Sequence, residues 1–126
     1  MRAPSLRRFS MPLGRLRCCP PPGVVIGLSA GPGGGSGEVS LQWDLRPVTE
    51  NVMFYRVYRA EVSTGQYRIL GIVTDAAAPI HPPGRLGFID ADGPFAQRCY
   101  VVSAVSTRGL EGQLSAEVCG SSVGPP

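Results

Sequence analysis

Lysine is absent from this chain of 126 residues, and histidine occurs once, as His81 in the stretch Ile80-His81-Pro82-Pro83. A hydrolytic site needs a nucleophile, a general base and an acid that orients the base. The sequence indicates no such set around one histidine in a proline-rich loop. We therefore predict that the protein is not an enzyme and has no catalytic residues.

The chain also lacks the residue spacings that metal sites use. Cys18 and Cys19 are adjacent, and no second cysteine pair follows at the spacing of zinc ligands. The stretch Asp90-Ala91-Asp92-Gly93 begins like a calcium loop, but Val101 stands where such a loop has its glutamate. The sequence predicts no metal and no cofactor.

Two further absences narrow the class of partner. No run of 18 apolar residues is present, so we predict no membrane insertion. Five of the 12 arginines lie in the first 17 residues, and the chain from Gly23 onward has seven arginines against nine acidic residues, a net charge of −2. A nucleic-acid-binding domain carries a basic surface, so we predict no nucleic-acid partner.

Composition divides the chain into three parts. Residues 1–20 are rich in arginine and proline and are predicted to be a disordered leader; a degenerate targeting peptide and an anion-binding arm are the alternatives. No apolar segment follows Arg7-Arg8, so there is no clear signal peptide. Residues 21–120 are predicted to form one domain, and residues 121–126 a tail or the start of a linker.

Short alternating segments dominate residues 21–120. Residues 38–43 and 54–59 alternate between polar and apolar side chains, and residues 24–28, 66–73 and 86–90 read as further strands between turns. Alternation with a period of two indicates half-buried strands. About seven short strands with no helical stretch indicate an all-β sandwich.

The last two predicted strands, residues 99–105 and 113–119, form a hairpin with a cysteine at each outer end. If it folds about Gly109, paired positions sum to about 218, which sets Cys99 opposite Cys119. Opposed residues on antiparallel strands have Cβ atoms about 4.5–5.5 Å apart, close enough for a disulfide. Disulfides persist outside the reducing cytosol, so the pair predicts an extracellular or cell-surface location. Two free thiols in a cytosolic protein are the alternative.

Several segments, taken in order, resemble a fibronectin type III domain. Trp43 ends a Leu-x-Trp strand, residues 55–59 (Tyr-Arg-Val-Tyr-Arg) are similar to the third strand of the family, and Tyr100-x-Val102-x-Ala104-Val105 is similar to the sixth. The resemblance covers residues 21–120 and is closest to the versions found in secreted bacterial enzymes and surface proteins. It implies an all-β fold, a seven-stranded immunoglobulin-like antiparallel β-sandwich. Pro94 stands where the family usually has a leucine, so we expect an altered tyrosine corner.

The alternation also predicts which side chains are buried. With Tyr100 pointing inward, Cys99 and Cys119 point outward, and we expect their bridge on the solvent side of the sheet. The predicted core consists of Ile26, Val39, Leu41, Trp43, Tyr55, Val57, Ile72, Phe88, Tyr100, Val102 and Ala104.

Two exposed surfaces are candidates for binding. The first is the outer face of the sheet that carries the third, sixth and seventh strands, because tyrosine and arginine are frequent at interface hot spots. The second is the loop between the sixth and seventh strands, because loops on a rigid sandwich often carry recognition. The predicted face consists of Arg56, Tyr58, Val101, Ser103 and Glu117, and the predicted loop site of Thr107, Arg108, Leu110 and Glu111.

Three functional hypotheses follow from this reading. The first is a non-catalytic extracytoplasmic module that positions neighbouring domains or contacts a protein or glycan surface. The second is a structural subunit of a surface filament or phage-like appendage, which assembles with itself through its edge strands or its leader. The third is an accessory fragment of a larger secreted hydrolase.

Overall fold

The computed structural model describes residues 20–35, 37–61, 65–74, 84–91 and 97–121. The predicted leader lies outside these ranges except for Pro20, and the predicted tail lies outside them except for Ser121. His81, Asp92 and Pro94 also lie outside them. The division into leader, domain and tail therefore stays a prediction. In the part of the chain that is described, no helix is long and apolar enough to cross a membrane.

Within these ranges, seven strands form two antiparallel sheets. They are β1 (Ser29–Pro32), β2 (Val39–Asp44), β3 (Val52–Ala60), β4 (Arg68–Val73), β5 (Arg85–Asp90), β6 (Gln97–Ser106) and β7 (Val118–Ser121). One sheet has the order β1-β2-β5 and the other the order β4-β3-β6-β7. A short 3-10 turn, Val48–Glu50, precedes β3. This arrangement confirms the predicted fold, a seven-stranded immunoglobulin-like sandwich.

The core lies between the two sheets. In β2 the predicted alternation is complete, because Val39, Leu41 and Trp43 are buried and the residues between them are partly exposed. The rings of Trp43 and of Tyr55 on the opposite sheet lie 5.8 Å apart between centroids, a favourable distance for a tilted aromatic pair. This contact joins the two sheets. Also buried, as predicted, are Val57, Tyr100, Val102 and Ala104.

The predicted strand at residues 24–28 is wrong. Among the described residues, the first ladder begins at Ser29, after Gly27 has turned the chain with a φ of 75°, which glycine adopts without strain. Ile26 was a predicted core residue but is 54% exposed, whereas Val25 is 2% exposed. The core position is therefore offset by one residue.

The predicted burial of Ile72 is also wrong by one residue. Ile72 is exposed, and its neighbour Val73 is buried opposite Tyr55. A bulge in the pairing of β3 with β4 shifts the register between Val57 and Tyr58. When two adjacent residues are both apolar, as Ile72 and Val73 are, the sequence does not show which of them faces the core. The strand pairing determines that it is Val73.

The predicted hairpin is confirmed in its bridge and in its register near the bridge, whereas beside the turn Val105 pairs with Glu111 instead of Gln113. Cys99 lies directly opposite Cys119, and the two form a disulfide. The second strand is shorter than predicted: its ladder covers only Val118–Ser121. Before it, the amide of Ser115 donates to the Val102 carbonyl, and the Ser115 hydroxyl accepts from the Val102 amide. A side-chain oxygen thus takes the place of a backbone acceptor in this irregular stretch.

A buried polar group, the Asp90 cluster, closes one end of the sandwich. Asp90 Oδ2 accepts hydrogen bonds from the Tyr100 hydroxyl at 2.7 Å, from Arg59 at 3.0 Å and from Arg98 at 3.3 Å. Asp90 is 2% exposed and Arg98 is fully buried. Burial of charge is tolerated when ions are paired and hydrogen-bonded. Burial and the hydrogen bond to Asp90 raise the pKa of Tyr100, so its hydroxyl remains a donor.

Candidate functional site

Four of the predicted site residues meet on the outer face of the four-stranded sheet. Arg56 of β3 lies directly opposite Ser103 of β6, and Tyr58 follows on the same face. Glu111, from the loop after β6, folds back over them. Its Oε1 accepts from Arg56 at 2.9 Å, and its Oε2 accepts from the Tyr58 and Ser103 hydroxyls at 2.5 Å. The predicted face and the predicted loop therefore share one polar group, the Glu111 cluster.

The members of the Glu111 cluster satisfy one another electrostatically. Burial alone would raise the pKa of Glu111, but the hydrogen bonds from Ser103 and Tyr58 and the charge of Arg56 outweigh it and lower the pKa. Burial and the hydrogen bond to Glu111 raise the pKa of Tyr58. At neutral pH the cluster therefore holds an ion pair and a protonated tyrosine that donates into it.

The predicted exposure of two face residues is wrong. Ser103 is fully buried because the Glu111 side chain lies over it, and Val101 is only 5% exposed. The loop residues Thr107, Arg108 and Leu110 are exposed, as predicted. The structure does not bring Arg108 into the Glu111 cluster, so the loop tip and the face are separate surfaces.

The remaining predicted face residue, Glu117, belongs to a second group. Tyr67 comes directly before β4 and Glu117 directly before β7, and these strands are the two edges of the sheet. Because the Tyr67 hydroxyl donates to Glu117, its side chain crosses the outer face over β3 and β6. Burial and this hydrogen bond raise the pKa of Tyr67.

The path of Tyr67 explains where the disulfide lies. Ala60 of β3 lies opposite Cys99, and Cys99 lies opposite Cys119, so Tyr67 spans a row of three residues to reach Glu117. Ala60 is 2% and Cys99 is 1% exposed, and only Cys119 is partly exposed. The bridge is on the outer face, as expected, but the expectation that solvent covers both cysteines is wrong. The second group on the outer face therefore consists of Tyr67, Ala60, Cys99, Cys119 and Glu117.

Sequence reasoning missed a third feature, the lead-in segment, which comprises residues 23–28. At its start, the Gly23 amide donates to Glu50 Oε1 at 3.0 Å, and Arg46 Nη1 donates to the Val24 carbonyl at 3.0 Å. Arg46 and Glu50 are themselves paired at 2.7 Å. The hydrogen bond from Arg46, together with the Gly23 amide, outweighs burial and lowers the pKa of Glu50. The Arg46–Glu50 ion pair thus fixes the start of the lead-in segment.

The far end of the lead-in segment is fixed by a second ion pair. Arg85 pairs with Asp44 at 2.5 Å and donates through Nη2 to the Gly27 carbonyl at 3.0 Å. The Asp44 amide donates to the Ile26 carbonyl at 3.0 Å. With Val25 buried between these contacts, the segment is held although it forms no ladder. No sequence pattern shows which carbonyl an arginine will reach.

The lead-in segment begins at one end of the sandwich, and β7 finishes at the other. A Cβ on Gly112 would lie 2.3 Å from the Pro22 carbonyl oxygen, so Pro22 packs closely on Gly112. The Gly112 amide donates to the Ala104 carbonyl near the end of β6. Ser121, at the end of β7, pairs with Gln97 at the start of β6. Gln97 and Ala104 are seven residues apart along β6, which corresponds to about 23 Å at roughly 3.3 Å per residue.

No family model matches the chain, and the curated proteins include no match. Among solved structures, the chain is similar to the third fibronectin III domain of human KIAA0343 protein (17% identity, TM-score 0.56), covering 84% of this chain and 86% of that one. It is also similar to part of pectate lyase PelI from Erwinia chrysanthemi (21% identity, TM-score 0.54), covering 73% and 27%. A third similar structure is the spore cortex lytic enzyme SleM from Clostridium perfringens (14% identity, TM-score 0.56), with 80% and 28% covered. The likeness shows the fold, and the chain spans about a quarter of each enzyme.

Proposed function

We propose that the chain is a non-catalytic, extracytoplasmic fibronectin type III module that holds the segments on either side of it at a fixed distance and direction. The observation that carries this proposal is the attachment of the lead-in segment to the sandwich. Two ion pairs and the Asp44 amide hold its backbone at four points, and Val25 anchors it in the core. A segment that precedes Gly23 is thereby kept at the opposite end of the sandwich from one that follows Ser121.

The similar structures suggest what such a module accompanies. PelI was solved in complex with tetragalacturonic acid, and SleM is named as a spore cortex lytic enzyme. The chain corresponds to about a quarter of each, a share that suits an accessory module better than a catalytic domain. We infer that it serves an enzyme acting on an extracellular polysaccharide. The disulfide supports a location outside the reducing cytosol.

The outer face favours positioning over direct sugar binding. Arg56, Tyr58 and Ser103 on this face are engaged within the Glu111 cluster, and Tyr67 is bonded to Glu117. Among the described residues, the large hydrophobic side chains that are most exposed are aliphatic, such as Ile69 and Ile72. Stacking on a sugar ring would call for an exposed aromatic face, and Tyr58 instead directs its hydroxyl into the cluster.

Amide hydrogen exchange of the full chain tests the proposal. The Gly23 amide should be protected in the native protein, and Glu50→Gln should accelerate its exchange about tenfold, the equivalent of one hydrogen bond to a charged group. Glu111→Gln is the matched control. It removes a carboxylate from the Glu111 cluster and should leave the exchange rate of the Gly23 amide unchanged. A Gly23 amide that exchanges in the native chain at the rate of a free peptide would overturn the positioning role.

A separate assay tests the non-catalytic part of the proposal. The folded chain is incubated with polygalacturonate and with peptidoglycan, and the release of reducing ends is followed. No release above that of a reduced and heat-unfolded sample is expected. Product that increases in proportion to the amount of folded chain would show that the protein is an enzyme.

A further inference from the structure

The two cysteines of the disulfide differ in their exposure to solvent. Cys99 is 1% exposed beneath Tyr67, whereas Cys119 is partly exposed on the edge strand β7. A thiolate attacks a disulfide sulfur in line with the bond that breaks. For Cys99 that approach passes over Ala60 on β3, through the space that Tyr67 covers. For Cys119 it comes from beyond the edge of the sheet.

We propose that Cys119 is a site of thiol modification, at which a small external thiol of the glutathione type forms a mixed disulfide. The thiolate bonds to Cys119 Sγ, the bond between the two cysteines breaks, and its electron pair goes to Cys99 Sγ, which takes a proton from water. The external thiol is the only reductant that this step needs. A second thiolate that attacks the mixed disulfide completes the reduction.

Glu117 makes this exchange depend on the charge of the thiol. Its carboxylate and the two sulfurs lie within 4.8 Å of one another, and the attacking species is always an anion. Repulsion between unit charges about 5 Å apart in water slows a reaction about fourfold. A thiolate that carries its own ammonium group is repelled less, and one that carries additional carboxylates is repelled more. The rate per thiolate therefore falls in the order cysteamine, 2-mercaptoethanol, glutathione.

Tyr67 is the positioning residue of this site. Its hydroxyl donates to Glu117 and holds that carboxylate beside the sulfurs, and its side chain covers Cys99. Removal of the ring therefore has a different consequence from removal of the charge: it opens the protected sulfur to attack.

Peptide mapping identifies the sulfur that reacts. The oxidised full chain receives a short pulse of glutathione, free thiols are blocked, and trypsin separates Cys99 on peptide 99–108 from Cys119 on peptide 109–126. Cys18 and Cys19 lie together on a different peptide, 18–56, because trypsin does not cleave between Arg46 and Pro47. The first adduct is expected on peptide 109–126. A first adduct on peptide 99–108 would overturn the proposal.

Variants test the roles of charge and cover. Glu117→Gln should raise the rate with glutathione about fourfold and the rate with cysteamine by less, whereas Asp44→Asn, a carboxylate on the other sheet, should change neither. Tyr67→Ala should place adducts on both peptides, and Tyr67→Phe, which keeps the ring, should not. Equal acceleration of all three thiols by Glu117→Gln, or adducts confined to Cys119 in Tyr67→Ala, would contradict the mechanism.

Discussion

Arginine side chains connect parts of this chain that are distant in sequence. Arg46, Arg85 and Arg98 each bond both to a carboxylate and to a backbone carbonyl. A guanidinium presents several donors in a rigid planar fork, which suits it to two acceptors at once better than an ammonium group. The absence of lysine thus coincides with a structural use of arginine.

The Asp90 cluster gives the largest predicted effect of a single residue. Asp90→Ala leaves Arg98 fully buried without its carboxylate, and loss of one partner of a buried ion pair typically costs about 3–5 kcal/mol. Asp44→Ala removes a carboxylate that is 40% exposed and should cost less than about 1 kcal/mol. Urea unfolding followed by tryptophan fluorescence measures both. Similar losses for the two variants would contradict the account of the cluster.

Glu111 predicts a dependence of stability on pH. Its pKa is lower in the folded state than in the unfolded state, so its contribution is complete above the unfolded value and is lost as pH falls through the folded one. Glu111→Gln should reduce the free energy of unfolding by about 1 kcal/mol at pH 7, a value that allows for its partial exposure. The difference should shrink towards pH 3. Glu61→Gln, at a side chain that is 58% exposed, is the control, and a pH-independent difference for Glu111→Gln would refute the assignment.

At the scale of elements, sequence prediction succeeded where one local pattern decides the structure. β2 alternates strictly, so Val39, Leu41 and Trp43 were placed correctly. The assumption of a turn centred on Gly109 placed Cys99 opposite Cys119, and the ladder near the bridge has that register, although Val105 pairs with Glu111 beside the turn.

Prediction failed where a distant segment decides the structure. Ser103 is buried by Glu111 and Cys99 is covered by Tyr67, which comes from the opposite edge of the sheet. Alternation along β6 shows which face these residues occupy and cannot show what lies above that face. The lead-in segment was missed for the same reason, since the side chains that hold it lie some 22 and 58 residues away in sequence.

Gly112 tests the contact between the lead-in segment and the loop after β6. An alanine there would place its Cβ 2.3 Å from the Pro22 carbonyl oxygen, so Gly112→Ala must displace one backbone. We expect a loss of about 1–3 kcal/mol, as for other overpacked sites, with amide chemical-shift changes that extend to Gly23. At Gly34 an added Cβ would meet no atom within 4 Å, so Gly34→Ala should change neither quantity. Unchanged Gly23 shifts in Gly112→Ala would contradict the close packing.

At the scale of the whole molecule, the covalent and polar links are divided between the two ends of the sandwich. The disulfide and the Asp90 cluster lie towards the start of β6, whereas the Arg46–Glu50 pair and Gly112 lie towards its end. The lead-in segment is fixed at the second end and β7 is stapled at the first. Under the proposed function, a module built in this way transmits direction between its two ends.

Backbone 15N relaxation of the oxidised full chain tests that claim most directly. If the lead-in segment is part of the rigid body, the order parameters of residues 23–28 should be about 0.85, equal to those of β3 and β6. Values below about 0.6 in this segment, beside rigid strands, would show that the chain pivots freely where it joins the domain. The module would then not fix the direction of what precedes it.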